Sequence, residues 1–161
     1  MFRSQSGIHL EWRCVVLAWL VAGSVWGARA QATDSSAGSE LGEGDGKLFF
    51  ALGMIESGND DRGVGRAGEV SRYQIHPNVW KNYSDSRDYQ NADVSLQVAR
   101  RHWNYLTNYF RDTAGRDPTP FDMYVLWNTR HGYYARNGFD PARISAVVRD
   151  RAQRFVNLLN R

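Results

Sequence analysis

Glu56 closes an apolar stretch, residues 48–58, in which Leu48, Ala51, Leu52 and Ile55 recur at helical spacing with Phe49 and Met54 beside them. Such a stripe is one face of an amphipathic helix. Gly58 follows as a C-cap, and the polar run 59–63 ends the element. A carboxyl at the end of an apolar helix, opening onto a glycine-rich loop, suits general acid catalysis. Apolar neighbours disfavour its ionised form and raise its pKa above the ordinary carboxylate range. On spacing alone a surface glutamate near a helix end is the simpler reading, which the motifs below reverse. Three further carboxylates, Asp60, Asp61 and Glu69, follow in the loop 58–72. A loop longer than about 12 residues in a compact domain usually has a functional reason.

The elements that must position these groups are helical. Helix one is expected over about 47–57, and Pro77 opens a short helix through Trp80 and Tyr83. Asn91 is the expected N-cap of a long helix over about 92–111, with Thr113 to Pro118 as a turn. Thr119-Pro120 reads as N-cap and N1 of a helix ending near Asn128. Residues 130–139 read as a loop. Asp140-Pro141 repeats the cap-plus-proline start for a last helix burying Ile144, Val147, Val148, Ala152, Phe155 and Leu159. No β-alternation is convincing, so the fold class is mainly α, with at most a very small β-hairpin within 60–75. Trp80 and Trp103 lie on helical apolar faces and are expected in the core.

The first 30 residues read as a secretory signal peptide: Arg3 and Arg13, an uncharged apolar run over 15–27, then Ala28-Arg-Ala30 as a small-x-small cleavage pattern. The run is short for a membrane span of about 20 residues. Residues 31–46 are rich in Ser, Gly, Asp and Glu and are expected to be a flexible tether, leaving 47–161 as the domain. The protein is therefore expected to be exported, to the periplasm or beyond, with no stable membrane span once the signal is cleaved. The one cysteine, Cys14, precedes the apolar run, so neither disulfides nor lipid attachment are expected. The net charge of +3 includes Arg3, Arg13, Arg29 and Glu11; beyond residue 30 there remain 17 basic and 16 acidic residues. Without a basic block, no nucleic-acid partner is expected. His76, His102 and His131 lack ligand spacing, and no metal or cofactor is expected.

Three segments in order resemble the lysozyme-like superfamily of lytic transglycosylases and goose-type lysozymes. Met54-Ile-Glu-Ser-Gly58 is similar to the catalytic "ESG" helix end. Ala67-Gly-Glu-Val-Ser-Arg-Tyr-Gln-Ile75 looks like the glycine-rich segment ending in Gln-Ile. Tyr124-Val-Leu-Trp-Asn128 looks like the "YN" helix end opposite the acid. The chain departs from the pattern at Ser71, where many members have glycine, at Tyr73 and Trp127, and at Thr129-Arg-His131.

The resemblance implies a lysozyme-like domain that cleaves the MurNAc-β-1,4-GlcNAc bond of peptidoglycan strands, with Glu56 as general acid and base. In a lytic transglycosylase the substrate's N-acetyl group assists and its 6-hydroxyl closes an anhydro ring. A hydrolytic muramidase needs a second carboxylate about 6.5–9.5 Å from the acid to activate water. Glu69, inside the matched segment, is the first candidate, with an ion pair to Arg66 or Arg72 as the other reading. Asp60 and Asp61 read as candidates or as solvated turn residues. Ser57 is placed to bond Glu56 or the leaving sugar, or merely ends a helix. Gln74 either bonds a sugar amide or braces the loop. Tyr124 and Asn128 match cleft positions, Asn128 holding an N-acetyl group or capping its helix. Tyr73, Trp127, Tyr133 and Tyr134 offer ring faces on which the CH faces of sugars stack. The alternative class is a glycan-binding module that keeps the cleft without catalysis.

Overall fold

A computed structural model of the chain describes residues 43–161. The expected signal peptide, Cys14 and most of the tether lie outside the described residues. The described part is mainly α-helical and contains no sheet. Six α-helices follow in order: α1 (Glu43–Ser57), α2 (Pro77–Trp80), α3 (Ala92–Ala114), α4 (Pro120–Asn128), α5 (His131–Arg136) and α6 (Ala146–Leu159), with a 3-10 turn at Pro141–Arg143. The expected hairpin reduces to two isolated bridges, Val64 with Val70 and Val70 with Ile75. None of the described helices is long and apolar enough to cross a membrane.

Helix α4 is the centre. Five consecutive residues, Asp122 to Leu126, are buried, so the helix is enclosed on all sides rather than on one stripe. It packs against α3, α5 and α6, and α6 also carries α1. Its start is fixed by a capping box. Thr119 accepts the Asp122 amide, and the Asp122 carboxylate accepts the Thr119 amide at 2.9 Å. Around α4 the core gathers Leu52, Trp80, Leu106, Phe110, Tyr134 and Phe155, each no more than 1% exposed. A side chain such as Leu52 gains about 1.5–3 kcal/mol from such burial.

Several boundaries differ from the sequence expectation. Helix α1 begins four residues earlier, so 43–46 belong to the domain and not to a tether. Asp45 lies in its first turn, where a carboxylate favours the helix dipole, and pairs with Arg100 at 3.7 Å. Helix α3 runs on to Ala114, and the stop is Gly115 in the left-handed region at φ 68°. The expected loop 130–139 contains α5, because Tyr134 is drawn into the core and donates to Asp122 Oδ1 at 2.8 Å. The last helix does not start at Pro141. Ile144 turns into the core in an extended conformation, and Ser145 caps a new helix behind it. Val147, expected inside, is 71% exposed. Trp80 is buried as expected, and Trp103 packs on the core between Phe49 and Phe155.

Candidate functional site

The end of α1 is turned by two left-handed residues, Gly58 at φ 72° and Asn59 at φ 63°. The Asn59 amide reaches back to the Gly53 carbonyl at 3.1 Å. The Asn59 side chain lies directly over Gly53, where a Cβ would collide with its Oδ1. The helix end is thus locked, and Glu56 projects from it to the floor of a groove of about 1280 Å³. The groove lies between the 65–76 loop on one side and the middle of α3 with the ends of α4 and α5 on the other, with α6 contributing Arg151.

The Glu56 side chain is only 7% exposed. Tyr124 donates to its Oε1 at 2.6 Å and Arg151 to its Oε2 at 3.1 Å. Its pKa is raised, first by burial; the Tyr124 hydrogen bond and the Arg151 charge oppose this, Glu69 adds to it, and Asn128 opposes it weakly. Burial prevails, so the carboxyl holds its proton to higher pH than an exposed glutamate. Tyr124 is itself pushed well above the ordinary phenol range, by burial and then by the Glu56 charge, so its hydroxyl stays a donor. Its ring is fully buried and stacks on Phe155 at 5.3 Å.

Glu69 lines the same groove. Its Oε2 accepts the Ala67 amide at 3.0 Å, and neither expected ion pair, to Arg66 or to Arg72, forms. Arg72 instead makes a two-pronged pair with Asp61, at 2.5 Å in each arm. Asp60 Oδ1 accepts the Arg62 amide at 2.9 Å. Asp60 and Asp61 are loop residues outside the groove. Gly65 lies hard against Glu69 and Gln74. A Cβ there would overlap Glu69 Oε2 and Gln74 Oε1, so any larger residue would have to move those two side chains from where they stand.

The remaining expected site residues divide. Gln74, Trp127 and Asn128 line the groove. Gln74 also braces the loop, donating to the Ser71 carbonyl at 3.0 Å. Trp127 donates its indole N–H to the Tyr73 carbonyl at 3.2 Å and packs beside His102 at 5.0 Å, leaving part of the ring for the groove. Five expectations need correction. Tyr73 is 3% exposed and packs edge-on against Phe49, so it offers no face to a ligand. Tyr124 acts on Glu56 through its hydroxyl and is sealed from the groove. Tyr133 turns its hydroxyl to the Ser145 amide at 3.1 Å, tying α5 to the start of α6. Tyr134 is a core residue. Ser57 touches neither Glu56 nor the groove. It donates to the Arg72 carbonyl at 2.8 Å and accepts the Asp60 amide at 3.0 Å, stapling both ends of the loop to α1.

Arg151 lies on the last helix, whose apolar spacing indicates core packing and gives no sign of a contact with the site. Arg151 stands 95 positions from Glu56, and no local spacing signals their meeting. His102 is a second addition. Burial, with a smaller contribution from His131, pushes its pKa down to about 4, and its Nδ1 lies 3.1 Å from the Tyr83 hydroxyl. It is a neutral aromatic wall near pH 7. Comparison with protein-family models, curated proteins and solved structures gives no match.

Proposed function

We propose that the protein is an exported glycosidase of the peptidoglycan-cleaving kind, a lytic transglycosylase in which Glu56 protonates the glycosidic oxygen. The observation that carries this reading is the Glu56 carboxyl: 7% exposed, raised in pKa, and set in the floor of a groove large enough for several sugar rings. The volume exceeds the range of about 300–1,000 Å³ usual for small-ligand pockets.

The proton passes from Glu56 to the bridging oxygen as the bond to C1 breaks. Positive charge then develops at C1, and the N-acetyl oxygen of the same sugar meets it. Glu56 is now an anion, and Tyr124 and Arg151 stabilise it where it stands. Glu56 next takes the proton of the 6-hydroxyl, whose oxygen closes the anhydro ring on C1. Trp127 offers a stacking face and Asn128 a polar partner for an N-acetyl group beside the acid.

One observation favours a second reading. Glu69 lines the same groove and its charge bears on Glu56. In a hydrolytic muramidase it would activate water. Mass spectrometry of digested sacculi separates the two: anhydro products support the transglycosylase, reducing ends the hydrolase. Glu56→Gln is expected to lower the rate by about 100-fold or more. Full activity in that variant ends both readings, and sacculus binding without any released product points to a non-catalytic module.

A further inference from the structure

The groove holds more positive charge than its own carboxylates balance. Arg66, Arg130, Arg136 and Arg151 line it together with only two carboxylates, Glu56 and Glu69. Both are already engaged, Glu56 by Tyr124 and Arg151 and Glu69 by the Ala67 amide. Arg66, Arg130 and Arg136 are exposed, and among the described residues none forms an ion pair. Arg72, Arg100, Arg111, Arg116 and Arg143 each pair with an aspartate, and the other described arginines that form no pair, such as Arg62, Arg87 and Arg154, do not line the groove. The three come from separate elements, the 65–76 loop, the junction before α5 and the last turn of α5. Like charges lining one groove add their fields, and such a groove concentrates anionic ligands. Guanidinium is also the side chain best matched to a carboxylate, through two parallel hydrogen bonds.

We infer that the groove selects glycan strands carrying carboxylates over neutral ones, with Arg66, Arg130 and Arg136 as the specificity-determining residues. The glycan part rests on the reading of the groove given above, with Trp127 as the stacking face. In peptidoglycan the carboxylates would be those of lactyl groups or peptide stems. A neutral strand such as chitin leaves the three guanidiniums unanswered.

Calorimetric titration of the full chain tests this, using Glu56→Gln so that no ligand is consumed. The probes are an oligogalacturonide, its carboxyl-reduced counterpart, a chito-oligosaccharide of equal length and a polyglutamate of equal charge. Near 50 mM salt the oligogalacturonide is expected to bind about tenfold more tightly than either neutral glycan, with the advantage shrinking near 500 mM. The triple change Arg66→Gln, Arg130→Gln and Arg136→Gln should remove the preference, and Arg154→Gln, outside the groove, should keep it. All three positions are exposed, so folding should survive, as a thermal melt checks. Equal affinity for acidic and neutral glycans overturns the inference, as does a preference that persists in the triple variant. Polyglutamate binding as tightly as the oligogalacturonide overturns its glycan part. Because binding is read apart from cleavage, an acid-selective protein with no lytic activity sinks the catalytic proposal and leaves this one standing. An active enzyme without selectivity does the reverse.

Discussion

Glu56 sits under opposed influences, and each can be removed singly. Tyr124→Phe deletes a hydrogen bond that favours the anion, so the Glu56 pKa should rise further. If Glu56 acts as the acid, activity falls as pH rises through that pKa. The descending limb of the pH–rate profile should therefore move to higher pH in Tyr124→Phe. Arg151→Gln should move it the same way, since it removes a positive charge. An unmoved limb in both variants would assign it to another group. Stability gives an independent reading. A carboxyl whose pKa is raised by folding adds stability below its unfolded value, about 4.3, and loses it as pH climbs through the folded value. Glu56→Gln cannot ionise. Its melting temperature relative to the parent should therefore increase from acid to neutral pH, and a flat difference would contradict the raised pKa.

At the scale of elements, two joints place the site. Gly65 lets the loop wall close on Glu69 and Gln74. Gly65→Ala should displace both side chains and cut activity by up to about 100-fold, while circular dichroism stays near that of the parent. A fully active Gly65→Ala would mean the loop wall is not part of the working site. The second joint is Asp122 at the head of α4. Burial pushes its pKa up, but hydrogen bonds from Arg116, Thr119 and Tyr134 outweigh burial and hold it below the ordinary carboxylate value. Its contribution is thus present above about pH 3.9 and is lost as pH falls through the folded value. Asp122→Asn should cost about 3 kcal/mol at neutral pH, a gap that narrows on acidification; urea titrations at pH 7 and pH 3 measure both. Ser71, in the same loop as Gly65, has a φ of 66°, in the left-handed region that glycine enters without steric cost.

At the scale of the molecule, α6 couples the chain's end to its acid. Phe155 is fully buried, stacks on Tyr124 and touches Trp103, while Arg151, one turn earlier, reaches Glu56. Phe155→Ala should cost about 3–5 kcal/mol and loosen Tyr124. A melt and an activity assay below the new midpoint should fall together. Loss of stability with an unchanged rate would separate the core from the acid.

Local features are legible in the order of residues. Periodic apolar positions marked α1 and α3, the caps Asn91 and Thr119 marked the starts of α3 and α4, and Gly58 marked the end of α1, because propensity and capping act over three or four residues. The same order also marked Glu56, Gln74, Trp127 and Asn128, which line one groove. The rest depends on packing between distant segments. Tyr73, Tyr133 and Tyr134 look alike in a sequence, and only packing makes one an edge against Phe49, one a clamp on Ser145 and one a partner of Asp122. Helix α5 exists because Tyr134 is drawn inward, not because its residues favour helix. The contact between Arg151 and Glu56, and the gathering of three unpaired arginines in one groove, join residues far apart in the chain. Such meetings follow from which faces bury together, and no short-range pattern encodes them.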